Sequence, residues 1–565
     1  VRRWGGWNSK SLRSVADREF FRRLHVVLVL SAGVGAVTGV AVAAFDEAVR
    51  TQIFDRVIDA PLAVVMVAPG VGLAIVGWFV RRTGTSPATT DAYVAAYHER
   101  GGALKERDLL SKLFASAVTL GFGGSLGYEG PAILTGGTVG SFAERRFTRR
   151  FRSDDAKVLM VAGAAAGVAA VFKAPLTGVV FALEVPYLQD VARRALLPAV
   201  VAASSGYLCF VALMGTAPVL ASGGAAPFDV KDLVGGAAVG GVCGLLARLM
   251  SVVVAAAKSC AARYRLAAPV AGIALAALAF VSNQIFGEPL STGAGYEAIS
   301  WARAHEGSLL LVAALFAVRL AATSLTVAGG GVGGLFIPLV AQGALVGFFA
   351  QSVLHGANSG LLPTVGIASF LGAGYRTPLA GVAFVAEATG EPGFVVPALL
   401  ASAVAQLVMG RRSLSPYQRV ERGAPSLALT QLKVGEIMSP NPDTIQASMT
   451  IADAAVTMMK GQRRWAPVCE GAAYVGVVAL ADIAAVHSEE SAKKRCIAVT
   501  RVDIGTASME DSVAAVASQM RRAGVGALAI ADGEQVVGVV TMSDVARIEQ
   551  LLDRLAPETG GSAGR

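Results

Sequence analysis

Charge is what this 565-residue chain has least of: only 16% of its residues are Asp, Glu, Lys or Arg. Soluble domains carry nearer a quarter. Leu24–Phe45, Ala60–Val80 and Leu266–Gly287 contain none of the four, and the longest uncharged run extends from Leu320 to Tyr375. About 20 apolar residues cross a bilayer, so a chain with 54% apolar residues in such runs is a polytopic membrane protein. Cysteine is also scarce. The five (Cys209, Cys243, Cys260, Cys469, Cys496) are scattered, odd in number and without a C-x-x-C pair, which supports neither a disulfide frame nor a zinc site. The five histidines are isolated, so no metal site is expected. No nucleophile–base constellation points to an enzyme. About two dozen mostly polar residues precede the first apolar run, which argues against a cleavable signal peptide.

The few charges are unevenly placed. Residues 1–422 hold 36 basic and 24 acidic side chains, and residues 423–565 hold 13 basic and 16 acidic. The basic part is therefore the membrane part, which argues for lipid headgroups and anions and against nucleic acid as partners. Arg2, Arg3, Lys10, Arg13, Arg18, Arg22 and Arg23 crowd the start of the chain. The positive-inside rule then puts the N-terminus in the cytoplasm of a cell inner (plasma) membrane, with the basic loop Glu144–Lys157 on the same side.

An amphipathic segment, residues 1–24, is expected to lie on the cytoplasmic surface, its helix near Ser11–Leu24. A first membrane repeat is expected over 25–230 and a second over 231–422. Many apolar segments in both are short and broken by glycine. Non-helical backbone survives at membrane depth only when buried in protein or lining a cavity. From Val434 the text becomes soluble α/β in character, and two units repeat, 433–488 and 496–552. Each closes on a Val-rich strand ending in Asp, at Asp482 and Asp544. Residues 557–565 read as a disordered tail.

Two glycine-framed motifs carry the chemistry. Gly127-Tyr128-Glu129-Gly130-Pro131 and Gly334-Leu335-Phe336-Ile337-Pro338 lie 207 residues apart. A second pair, Lys173–Gly178 and Arg376–Gly381, lies 203 residues apart. A duplicated half with glycine-broken helices is the mark of a transporter or channel whose site sits at the repeat interface. Glycine permits tight backbone with exposed amides. Proline fits the first turn of a helix because its missing N–H would be unpaired there. Such a helix start attracts an anion through free amides and the positive dipole end. Glu129 can mimic that anion and leave when protonated, which makes it a gate and a candidate proton carrier. Intramembrane carboxylates are functional by default.

These motifs, with the run Ala174–Glu184, resemble the CLC chloride channels and chloride/proton exchangers over roughly residues 10–421, and the tail resembles a tandem pair of CBS domains. The resemblance implies an all-α polytopic membrane protein with two inverted-topology repeats and broken, tilted helices (the CLC fold), plus a cytoplasmic α/β CBS pair. It also implies a homodimer with one chloride pore per subunit. Glu129 is then the external gating glutamate. Gly127, Tyr128, Gly130, Gly334, Leu335, Phe336 and Ile337 frame the anion path, the amides of Leu335 and Phe336 contributing to the central site. Tyr417 is the best match for the tyrosine hydroxyl of that site.

Two departures bear on mechanism. The family's Gly-Ser-Gly-Ile-Pro is one residue shorter here, Gly84-Thr85-Ser86-Pro87, so the hydroxyl facing the anion is Thr85 or Ser86, or the pair is a plain helix cap. Exchangers often carry an internal proton glutamate directly after the position of Glu184. Val185 stands there and cannot carry a proton, which tips the expectation to a passive channel, with a chloride/proton antiporter as the alternative. Glu184 has a repeat partner in Glu387 and reads as structural. A fluoride exporter usually changes the proline of the first motif, and Pro131 is present. In the tail, Thr541 and Asp544 match the CBS pattern that holds a nucleotide's phosphate and ribose, while Ala479 replaces the hydroxyl in the first unit. An adenine nucleotide there, or an empty structural pair, are both open, and no cofactor is required. A membrane-anchored nucleotide sensor without transport is a third reading.

Overall fold

The computed structural model describes residues 9–99, 102–147, 157–217, 219–220, 229–305, 307–354, 360–420, 427–461, 463–486, 493–502, 504–533 and 535–555. The segment 557–565 and most of the loop 144–157 lie outside them. The chain divides into two compact units, Val1–Arg422 and Gly423–Ala563.

In the first unit α1 (Ser9–Asp46) runs on through a π-helical stretch (Glu47–Phe54) into α2 (Asp55–Ile58). The expected surface helix over Ser11–Leu24 is not separate. No Gly or Pro interrupts residues 9–32, so the helix continues unbroken into the first span. Then come α3 (Leu62–Thr83), α4 (Thr90–Glu99), α5 (Glu106–Gly121), α6 (Glu129–Phe147), α7 (Val158–Phe172), α8 (Pro175–Glu184) and α9 (Leu196–Met214). The second half follows with α10 (Val230–Arg263), α11 (Ala267–Phe286), α12 (Tyr296–Ala304), α13 (Leu309–Ala328), α14 (Phe336–Val353), α15 (Leu361–Tyr375), α16 (Pro378–Thr389) and α17 (Val395–Met409).

The packing repeats as the sequence does. In the first half α1 packs on α9, α6 on α7, and α7 on α8 and α9; in the second, α10 packs on α17, α14 on α15, and α15 on α16 and α17. Gly136 and Gly163 hold α6 and α7 so close that an added Cβ would meet backbone at 1.9 Å, and Gly343 and Gly366 do the same for α14 and α15, at 2.3 and 2.2 Å. The halves join where α3 meets α11 and where α8 meets α16.

Helix ends show the same duplication. Lys173 (φ 52°) and Arg376 (φ 59°) are left-handed caps of α7 and α15. Each turn closes with a bond from the next residue back five, Ala174 to Ala169 O and Thr377 to Gly372 O, the pattern that satisfies orphan carbonyls at a helix end. The ten residues of α8 extend only about 15 Å, half of a bilayer core. Such helices start and stop inside the membrane, so their ends are held by protein. α7 and α15 are buried almost all round, as core helices must be. Arg319, 1% exposed, donates to the carbonyls of Leu290, Thr292 and Gly293 and thereby orders the turn before α12. Apolar side chains such as Leu245, Ile273 and Leu407 cover the outside of the unit, as lipid contact demands.

The second unit contains two three-stranded sheets. β1 (Ser439–Pro440), β5 (Ala527–Asp532) and β6 (Gln535–Thr541) form one, in the order β1-β6-β5, and β2 (Ile445–Gln446), β3 (Trp465–Glu470) and β4 (Ala473–Ala479) the other. The hairpins are equivalent: Trp465 faces Ala479 and Ala527 faces Thr541, with one bulge in each. β1, from the first sequence unit, completes the sheet of the second.

Candidate functional site

The two glycine-framed motifs meet. Gly127 and Gly334 exchange both backbone hydrogen bonds at 2.8 Å, a two-residue antiparallel bridge across 207 positions of sequence. α6 and α14 therefore begin side by side. Pro131 and Pro338 occupy their first turns, where an N–H would have had no helical partner.

Glu129 sits in this junction, 1% exposed. Its Oε1 accepts from the Phe336 amide at 2.5 Å, and the Ile337 amide faces the same carboxylate. The carboxylate of the first repeat thus occupies the helix start of the second. Its Oε2 is buried without a hydrogen-bond partner. Glycine is required on both sides: a Cβ on Gly127 would stand 1.9 Å from Oε2, and one on Gly334 would stand 2.0 Å from Oε1. Gly130 is needed for a different reason, since its Cβ would meet the Gly334 nitrogen at 2.6 Å. Thr89 closes the junction by donating to Gly333 O at 2.9 Å. Phe336 packs against Phe172, Phe384 and Phe181, with ring centroids 4.3, 5.0 and 5.3 Å away.

A cavity of about 390 Å³ reaches this junction at Tyr128 and is lined also by Asp46, Arg50, Lys173, Tyr296 and Glu297. It mixes cations, carboxylates and phenols, and the Tyr128 hydroxyl is buried there without a partner.

The hydroxyls singled out from sequence bond locally or to none of the described residues. Thr85 pairs with Thr83 Oγ1 at 2.7 Å, and Ser86 accepts from the Ala88 amide at 3.3 Å. Both bonds are local, and neither reaches the second repeat. Tyr417 is half-buried against the core, and its hydroxyl makes no hydrogen bond with the described residues. The hydroxyls brought to the junction are Thr89, on Gly333, and Tyr375, whose phenol faces Thr90 and the Leu335 backbone. No local signal marked Tyr375; it ends the longest uncharged run, next to the Arg-Thr-Pro motif.

Glu184 and Glu387 form a reciprocal pair. Glu184 accepts from the amides of Ala380 (2.9 Å) and Leu379 (3.3 Å) at the start of α16. Glu387, near the end of α16, accepts from the amides of Leu176 (2.8 Å) and Thr177 (2.7 Å) and from Thr177 Oγ1 (2.7 Å) at the start of α8. Each helix start that could attract an anion is thus filled by a carboxylate of the opposite repeat. Val185 is fully buried. The polar group beside it is Gln418, which donates to Val185 O (2.8 Å) and Tyr375 O (2.8 Å) and keeps an unpartnered Oε1.

In the tail, Thr541 and Asp544 bind each other. Thr541 N and Oγ1 donate to Asp544 Oδ2 at 3.0 and 2.7 Å, and Asp544 N donates back to Thr541 Oγ1 at 3.2 Å. Asp544 Oδ1, with Arg547 at 4.0 Å, remains able to accept a ligand hydroxyl. In the first unit Asp482 is taken by Arg501, at 3.1 and 3.3 Å. Among the described residues no His, Cys, Asp or Glu group could hold a metal ion.

Comparison with known proteins agrees in both units. The model of the family described as voltage gated chloride channel matches residues 72–410, and that of the CBS domain matches 434–489 and 497–550. The H(+)/Cl(-) exchange transporters ClcA of Salmonella arizonae and Salmonella typhimurium are each 29% identical over 422 residues, which is 68% of this chain and 86% of theirs. Among solved structures, a CLC-type fluoride/proton antiporter has 22% identity and a TM-score of 0.60, covering 71% of this chain and 98% of its own. A eukaryotic CLC transporter has 17% identity and a TM-score of 0.60, covering 92% of this chain and 98% of its own.

Proposed function

This chain belongs to the voltage-gated chloride channel family, and from that premise we propose that it exchanges chloride for protons across the membrane. Anion transport is the family's activity. Exchange, rather than the passive channel that Val185 suggested, is supported by relatives named as H(+)/Cl(-) exchange transporters. The absence of one carboxylate does not forbid proton passage where other polar groups and water can carry it.

The observation that carries the reading is the bond from the Phe336 amide to Glu129 Oε1 across the repeat interface. A carboxylate seated on helix-start amides holds the place of an anion. Its second oxygen, buried and unpaired, is costly to keep charged and is the atom that takes the proton. Protonation weakens the hold on the amides, since charge-assisted bonds are about twice as strong as neutral ones. The side chain then leaves, and chloride takes the amides of Leu335, Phe336 and Ile337. Return of the carboxylate expels the anion and releases the proton. Arg50 and Lys173, in the adjoining cavity, draw anions toward the gate.

The same reading makes the protein a homodimer with a pore in each subunit, placed in a cell inner membrane with both termini cytoplasmic, acting as a transporter and not an enzyme. The CBS pair is a regulatory tail, with an adenine nucleotide at Thr541 and Asp544. The test is proton movement in proteoliposomes under a chloride gradient. Protons driven uphill are expected; chloride flux with no proton movement would leave a passive channel.

A further inference from the structure

A proton that crosses the membrane unit has to enter from the cytoplasmic face and travel to Glu129, and Val185 offers it no place to stop. The nearby carboxylates are committed. Glu184 and Glu387 hold helix-start amides, and Asp91 pairs with Lys258 at 2.5 Å. Among the described histidines His25 and His305 are exposed, whereas His98, near the end of α4, is half-buried.

His98 belongs to a cluster of polar aromatic side chains around the residues that follow Val185. Its Nε2 lies 2.5 Å from Pro186 O, which also accepts from the Arg419 amide at 3.3 Å. A carbonyl only accepts, so Nε2 carries the hydrogen and Nδ1 is left as the acceptor. Among the described residues nothing bonds to Nδ1. The ring stands edge-on to Tyr97 and Tyr187, with centroids 5.0 and 5.1 Å away, and the two phenols meet at 3.2 Å. Gln418 donates to Val185 O, Tyr187 O and Tyr375 O at 2.8, 3.3 and 2.8 Å. Its buried Oε1 has no partner, which calls for an ordered water. Beyond it the Tyr375 phenol lies within electrostatic reach of Glu129. Lys157 Nζ sits 4.9 Å over the Tyr97 ring. It ends the basic loop expected in the cytoplasm, which gives the cluster its side. Burial, and then the charges of Arg419 and Lys157, oppose a lasting charge on the His98 ring, so a proton taken up there moves on.

We infer that His98 takes up the cytoplasmic proton at Nδ1 and that Tyr97, Tyr187 and Gln418, with bound water, hand it on toward Glu129. This rests on the exchange reading above and names the residues of its proton branch. Nδ1 gains a proton from water and gives it to the phenol pair, which releases one of its own to the water at Gln418; no other bond forms or breaks.

Proton uptake and chloride flux, measured in parallel on the full-length protein in proteoliposomes, test the relay. His98→Gln keeps a donor for Pro186 O but cannot take a proton. Proton uptake should fall about a hundredfold, the lower end of what a positioned proton-transfer group contributes, while chloride flux persists, so the proton-to-chloride ratio collapses. A merely structural role would lower both fluxes together and leave the ratio. Should His98→Gln lose its fold, Tyr187→Phe, which removes only a hydroxyl, decides the matter, and its ratio should fall too. A wild-type ratio in His98→Gln, or in Tyr187→Phe where His98→Gln does not fold, overturns the relay and leaves the exchange reading standing. A wild-type protein that moves chloride without protons overturns both.

Discussion

Alanine at Gly334 should unseat the gating carboxylate without touching its charge. The Cβ would stand 2.0 Å from Glu129 Oε1 and 2.2 Å from its Cδ, where real Cβ contacts essentially never fall below 3.0 Å. All three nearest atoms belong to the Glu129 side chain, which can swing away, and Gly334 has no positive φ to strain. The carboxylate must therefore retreat by about 1 Å. That stretches its 2.5 Å bond to Phe336 to roughly 3.5 Å, beyond the useful range. Losing a hydrogen bond to a charged group costs about 1.5–3 kcal/mol, which shifts the seated-to-unseated balance by roughly 10- to 150-fold. Chloride efflux from proteoliposomes at neutral pH should rise, and its stimulation by acid should shrink. The double variant with Glu129→Gln should gain little over either single one, because both act on one contact. Gly334→Ala with wild-type flux and pH response, or a fully additive double variant, would refute the reasoning. Gly130→Ala is the contrast: its Cβ meets backbone of the other repeat, so it should lower the yield of folded protein.

Glu129→Gln alone should give chloride flux that no longer rises as pH falls, with proton coupling lost; since protonation opens the gate, the wild-type flux must increase on acidification, and a variant that keeps this slope removes Glu129 from the mechanism. Glu387→Ala strips three hydrogen bonds from the start of α8 and should destabilise the membrane unit by about 2–4 kcal/mol, read as a lower midpoint of thermal unfolding in detergent; an unchanged midpoint would mean that the cap carries no stability. Asp544→Ala should weaken adenine-nucleotide binding to the full-length protein by about 1.5–3 kcal/mol, and calorimetry showing no heat with ATP, ADP or AMP in the wild type would leave the tail structural. Burial pushes the Cys469 and Cys496 thiols up, so maleimide should label both only after unfolding; fast labelling of the native protein would contradict their burial.

The sequence by itself determined whatever is written locally. Uncharged runs of bilayer length announce membrane spans, because an apolar helix has no other place to put its surface. Gly-x-Glu-Gly-Pro and Gly-Leu-Phe-Ile-Pro announce helix starts, because glycine and proline act on their own backbone and first turn. The offsets of 207 and 203 residues announce the duplication, and the Glu184–Glu387 correspondence already hinted that both carboxylates are structural. The helix expected at Ser11–Leu24 runs on into the first span for a local reason too, since no glycine or proline lies between them. Only the tertiary structure decided which side chains share the junction. Thr85 and Ser86 match by spacing and bond locally, while the Thr89 hydroxyl reaches Gly333, 244 residues away. Nor could spacing tell that Glu129 rests on the Phe336 amide, or that Glu387 fills the start of α8. A hydrogen bond depends on tenths of an ångström between groups that the chain brings together only after every helix of both repeats has packed.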